Sequence, residues 1–259
     1  MSLPAAETYV VSGNLLVAAP SVTNATVVQD VVNSNLLCQL AADKKLTSRF
    51  IDPAAWLDMY RNSLGKVFWQ ITNSNTISYP VPPLIRSLTL MKILQATFFK
   101  TLDTNLVDCI EEGIGLWLEL PESSAPALLY NSKTHVEFEI DEKVPPVPST
   151  ISVINLQLSV VHSGSRLSVC SIYFKTLESV EADLFNQKFA VKDILGNVSV
   201  SSFKAELIES NYSAIRQQII DKLGETNIRE NIMLVPATLA PAGIELDTGT
   251  RQFIDSVDI

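Results

Sequence analysis

Glycine is scarce in this chain, with nine in 259 residues, and histidine scarcer still, with two. Each shortage removes a class of chemistry. Loops that cradle phosphate need glycines where backbone N–H groups crowd an anion. No Walker loop and no Gly-x-Gly-x-x-Gly occurs; Gly113-Ile-Gly115 lacks the third glycine. There is no Gly-x-Ser-x-Gly elbow. Ser63-Leu-Gly-Lys66 and Ser201-Ser-Phe-Lys204 match Ser-x-x-Lys without the companion motifs of that hydrolase class. Acid–base and metal sites lean on histidine, and only His135 and His162 are present.

Cysteine is also sparse. Cys38, Cys109 and Cys170 are an odd, widely spaced set with no Cys-x-x-Cys, which reads as reduced, buried thiols. No stretch of 18 uncharged apolar residues predicts a membrane-crossing helix. The first residues carry neither basic charge nor a long apolar run, so no Sec signal peptide is expected. Synthesis in the cytoplasm is expected, and secretion without a leader is compatible with it.

Charge makes up 18% of the residues and is unevenly spread. Residues 1–100 hold eight basic and five acidic side chains; residues 103–142 hold ten carboxylates against Lys133 alone. That band repels a phosphate backbone, and no basic cluster offsets it, so nucleic acid is excluded as a partner.

What is present is a packed globular chain, with 47% hydrophobic residues. Short strands at 9–11 and 15–17 flank Ser12-Gly13-Asn14 as a hairpin. Thr23 or Asn24 opens a helix to about Ala42. Asp52-Pro53 opens another, with Trp56, Tyr60, Leu64, Val67 and Ile71 along one stripe. Leu84 to Leu102 reads as a buried helix and Thr104 to Glu112 as a short one. Strands follow: Ile114 to Leu120, then Thr134 to Ile140 with Val136, Phe138 and Ile140 inward. The strongest pattern is a long hairpin over 150–177. Ile154, Leu156, Leu158 and Val160 alternate there with Asn155, Gln157 and Ser159. The chain turns at His162-Ser-Gly-Ser and returns through Phe174. A further pair, about 185–194 and 198–208, turns at Leu195-Gly-Asn197. A late helix over 211–223 is closed by Gly224.

Helices, then strands, then one helix give an α+β class. The expectation is a single domain over 1–259: helix-rich at 21–112, strand-rich at 114–208, a helix at 211–223 and a tail at 236–259. A helical layer from the N-terminal half packs on an antiparallel sheet from the C-terminal half.

Few residues are candidates for chemistry. His135, Glu137, Glu139 and Asp141 recur at steps of two, so a strand projects all four from one face. They could hold a divalent metal, or form a solvated face. Cys170 lies mid-strand and is a candidate nucleophile if His135 or His162 reaches it. No cofactor is expected.

The favoured reading is a non-catalytic protein engaging an apolar partner: a lipid, a membrane face or another chain, with oligomers possible. A cysteine hydrolase or acyltransferase centred on Cys170 is the alternative. A third is a leaderless, membrane-active, virulence-type factor using the 150–177 hairpin. Its arms have the length of membrane-crossing strands, and their polar positions are Ser, Asn and Gln.

Overall fold

The computed structural model describes residues 6–46, 48–80, 85–139 and 150–236. Strands β1 (Glu7–Val11) and β2 (Asn14–Ala18) form the hairpin expected around Ser12-Gly13. Helix α1 (Ala25–Lys45) begins where the Asn24 side chain accepts from the Thr26 N–H. Helix α2 (Pro53–Lys66) begins as read, with Asp52 accepting from the Ala55 N–H and Pro53 in the first turn. Trp56, Tyr60 and Leu64 are buried. The stripe does not run on to Ile71, however. The helix stops at Lys66, Phe68 turns left-handed at φ 66°, and strand β3 (Trp69–Tyr79) begins. β-branched and aromatic residues within 69–79 outweigh the helical spacing.

The 84–102 stretch is not one helix. Among its described residues it holds a two-residue strand β4 (Ser87–Leu88), a short helix α3 (Leu90–Ala96) capped by Thr89, and one 3-10 turn at Phe99–Thr101. Residues 114–120 are not a strand either: helix α4 (Thr104–Leu118) passes straight through Gly113 and Gly115. Gly113 faces the sheet, and a Cβ there would meet Thr8 and Val17 at 2.7 Å. The glycine is a close-approach residue inside a helix rather than its end.

Helix α5 (Ala125–Thr134) leads into strand β5 (His135–Glu139). Strands β6 (Thr150–His162) and β7 (Arg166–Thr176) make the long hairpin. Strand β8 (Phe189–Ala190) pairs with β4. The expected pair at 185–194 and 198–208 is instead one strand, β9 (Ile194–Leu207). Gly196, at φ 74°, lies in a bulge where residues 196–198 oppose Phe174. Helices α6 (Glu209–Ser213) and α7 (Arg216–Asn231) follow, and Gly224 kinks α7 instead of closing it. Strand β10 (Ile232–Val235) then returns to β1.

The class is α+β, with a sheet in the order β10-β1-β2-β6-β7-β9-β3. Strand β5 shares one edge of β6 with β2. The sheet is mixed rather than antiparallel throughout, because β2 runs parallel to β6. It carries helices on both faces, not one. The front face packs against α1, α2, α6 and α7 through Val31, Leu36, Trp56, Tyr60, Tyr212 and Ile219. The back face packs against α3, α4 and α5 through Leu94, Ile110, Ile114, Trp117 and Tyr130. On the front, Arg216 of α7 grips Asp30 of α1 with two hydrogen bonds of 2.7 Å.

Candidate functional site: a polar floor beneath helix α2

Strand alternation sets the chemistry of each face. On the back of β6 stand Ile154, Leu156, Leu158 and Val160; on the front stand Asn155, Gln157 and Ser159. The register carries this contrast across four strands. Leu156, Ile172, Val200 and Ile77 form one apolar row on the back. One residue along, Gln157, Ser171, Ser201 and Thr76 form a wholly polar row on the front, and Asn155, Tyr173, Ser199 and Ser78 form a second.

Helix α2 lies over these rows and leaves a cleft of about 290 Å³. Its floor includes Asn155, Ser171, Tyr173, Ser199 and Ser201, and its roof includes Trp56 and Leu57. The Thr76 and Ser201 hydroxyls meet at 2.9 Å. Arg61, on the rim, is held by Asp58 and reaches Ser74. Gln157 is 2% exposed, and neither its Oε1 nor its Nε2 has a hydrogen-bond partner. A buried amide in that state costs the fold roughly 1–3 kcal/mol.

The same polar character continues beneath α1. Ser159 donates to Asn14 Oδ1 at 2.8 Å, and Asn14 donates to Asn35 Oδ1 at 3.1 Å. Gln39 Nε2 donates to the Val11 carbonyl at 2.8 Å, and its Oε1 accepts from the Gly13 N–H at 3.3 Å. Arg49 is 5% exposed, bonds Asp43 at 2.7 Å and stacks over the Trp56 ring at 4.4 Å. Asn155 donates to the Arg49 carbonyl at 2.7 Å, joining this cluster to the cleft. Gly13 packs closely beside it: a Cβ there would press on the guanidinium and on the Cβ and carbonyl of Lys133.

The residues singled out from sequence lie elsewhere. Cys170 faces the back, fully buried among apolar neighbours, and burial pushes its thiol well above the usual range. It pairs with Leu158, while His162 ends β6 and His135 pairs with Ile154. Each histidine is therefore four residues from the level of Cys170, or about 13 Å along the strand. The ring of His162 faces Ser168 Oγ at 3.3 Å. Burial, then Lys204 and Arg166, lowers its pKa, against the pull of Asp103. Burial lowers His135 too, opposed by Glu137. Burial, Glu112 and Asp108 raise the Cys109 thiol.

Glu137 and Glu139 are exposed on β5, and Asp141 lies outside the described residues. Among the described residues no group of three or more His, Cys, Asp or Glu side chains is placed to hold a metal. Phe138, expected inward, is 42% exposed. Strand β5 packs at the rim of the sheet and covers only part of β6, so its second face is not enclosed.

The sequence reading missed the polar cluster. Its signal was Asn33-Ser34-Asn35, three poor helix formers in the middle of a helix. Such residues inside an apolar stripe mark buried hydrogen bonding.

No family model matches this chain, and no curated protein matches its sequence. Among solved structures, a delta-endotoxin is similar at 13% identity over 80% of this chain and 85% of its own, with a TM-score of 0.32. The Evf virulence factor is similar at 8% identity over 87% and 84%, with a TM-score of 0.28. Scores this low, at such identities, establish no common fold.

Proposed function

We propose that this protein is non-catalytic and that its partner is a lipid bilayer, entered by the β6–β7 hairpin together with β9 and β3. The observation that carries the reading is the two-sidedness of these four consecutive antiparallel strands. They have 13, 11, 14 and 11 residues. A tilted strand needs roughly 9–11 to cross a bilayer. In the half away from the hairpin turn one face carries the apolar row and the other the two polar rows, the alternation that a strand between lipid and a wet lumen requires. Nearer the turn the front is apolar at Val169 and Phe203 and the back polar at Ser202 and Lys204. A sheet covered by helices on both faces needs no such asymmetry, since both of its sides are served by apolar residues.

The charges of these strands support the same placement. His162, Arg166, Lys204 and Glu206 gather at the hairpin turn, and Lys175 lies near the other end. β3 and the residues of β6 before His162 carry no charge. No described helix is long and apolar enough to cross a membrane, so strands are the elements available. Insertion requires α3, α4 and α5 to leave the apolar row as well as the front helices to leave the polar rows. Beneath one of the front helices, α2, a cleft already lies.

The test is dye release from phosphatidylcholine vesicles, with and without an anionic lipid. Ile77 lies on the lipid-facing side of the proposed insert and is only half-buried in the folded protein, so Ile77→Lys folds. At mid-bilayer a lysine there costs about 2–4 kcal/mol, and release is abolished. Tyr173→Lys, on the polar side, releases dye like the parent. Absence of release by the parent, or equal release by both variants, overturns the reading.

A further inference from the structure

The sheet ends in edges that differ sharply in their protection. β10 offers four residues. β5 offers five, including the exposed Glu137 and Glu139. Shortness and charge are the usual means by which edge strands are kept from pairing with other chains. β3 has neither. It is 11 residues long, contains no charged residue, proline or glycine, and among the described residues no strand pairs with its outer side. Gln70, Thr72, Asn73, Ser74, Asn75, Thr76 and Ser78 are all exposed. Its one protective device is a bulge between Ile71 and Asn73, which leaves the run from Asn73 to Tyr79 regular.

We infer that this run is the docking edge for a second copy of the chain, paired antiparallel with its own counterpart about a two-fold axis at Thr76. The Ser and Thr face of the strand is self-complementary in that register. Thr76 faces Thr76 of the second copy, and Ser74 faces Ser78. Ser and Thr pairs of this kind hydrogen-bond across strands. On the other face Asn75 meets Ile77 and Asn73 meets Tyr79. With no charge in the strand, nothing repels at the axis, as like charges facing each other there would. Arg61 already orders Ser74 from the front. The polar row Gln157–Ser171–Ser201–Thr76 then continues without a break into the second copy. A different partner strand would need its own matching run, whereas a two-fold axis supplies the match from β3 itself.

This inference stands apart from the bilayer reading, and its test uses no lipid. Sedimentation of the full chain is expected to show a monomer–dimer equilibrium. Thr76→Lys, which places two ammonium groups at the axis, shifts it to monomer with an unchanged circular dichroism spectrum. Met233→Lys on β10 leaves the dimer intact. Thr76→Cys in a Cys109→Ser background gives a disulfide-linked dimer on mild oxidation, because Cys38 and Cys170 are buried. A parent that stays monomeric at every concentration overturns the inference. So does a dimer that survives Thr76→Lys, which would place the interface on another surface.

Discussion

The two faces of strands β6, β7, β9 and β3 differ in what holds their helices. On the back, Leu156, Leu158, Ile172 and Phe174 meet α3–α5 and the aromatic cluster of Trp117, Tyr130 and Phe185, whose rings lie 5.2 to 6.5 Å apart. That layer is fixed by apolar area, which is non-directional and tolerant of small shifts. On the front, the apolar contacts of Val161, Leu167, Val169, Phe203 and Leu207 are confined to the half near the hairpin turn. Beyond them the floor is amide and hydroxyl. Beside it α1 is held to the β1–β2 hairpin by the hydrogen bonds of Asn35 and Gln39, with Ser159 of β6 bonding Asn14. The contrast teaches that one layer is bound by area and the other, over half its length, by geometry. A geometric attachment is lost all at once when its register slips.

The largest effect should come from the back. Leu156→Ala is expected to lose about 2–5 kcal/mol of stability in denaturant melts, the range for emptying a buried leucine site. A loss no larger than that of Ser171→Ala on the front would erase the contrast.

Cys170→Ser should cost about 1–3 kcal/mol, because it buries a hydroxyl in the apolar layer with only Leu158 and Ser202 across from it. Thiol reagents should label Cys170 only as fast as the sheet opens. Rapid labelling of the folded protein at neutral pH would show that the back layer is not closed, and would restore Cys170 as a candidate nucleophile.

Gln157→Leu sharpens the comparison from the other side. Removing both unpartnered amide atoms should leave stability unchanged or raise it by about 1 kcal/mol. Dye release should fall, because the variant makes the front row more like the back. A variant that is markedly less stable would mean that the amide is satisfied in solution.

The smallest effect is titration. Both histidines have pKa values lowered by burial. The unfolded chain therefore binds protons first, near pH 6.5, and stability falls as the pH drops through that value. The loss levels off once the folded form is protonated too. His162→Gln and His135→Gln should each flatten the acid side of the stability profile, since burial lowers both values. A profile that neither variant changes would break that assignment.

Much of this was legible in the residues, and the reasons are local. Asp52-Pro53 declares the start of α2, and the alternation from Ile154 to Val160 declares β6, because caps and period-two patterns act over a few residues. The long-range events were hidden. Ile114 to Leu120 has strand composition, yet it continues α4, because Gly113 lets that helix lie flat on β1 and β2. Ile71 continues a helical stripe, yet the left-handed Phe68 turns the chain into β3. The polar cluster could be suspected from Asn33-Ser34-Asn35, but its partners Asn14 and Ser159 are far away in the chain. Cys170 was a candidate only if the fold brought His135 or His162 to it, and the register keeps both four residues from its level.

The parallel pairing of β2 with β6 has a consequence for the order of assembly. The β1–β2 hairpin leaves the ribosome before any strand that flanks it. One side of it waits for β6, and the other for β10, the last described strand. Until both arrive, Tyr9, Leu15, Leu16 and Val17 have no sheet to enter. The long β6–β7–β9 meander can form without them, through contacts close in sequence. The hairpin nearest the start of the chain is thus the last to be clamped. A nascent chain halted before β10 would carry a loosely held first hairpin, the segment on which a chaperone would act.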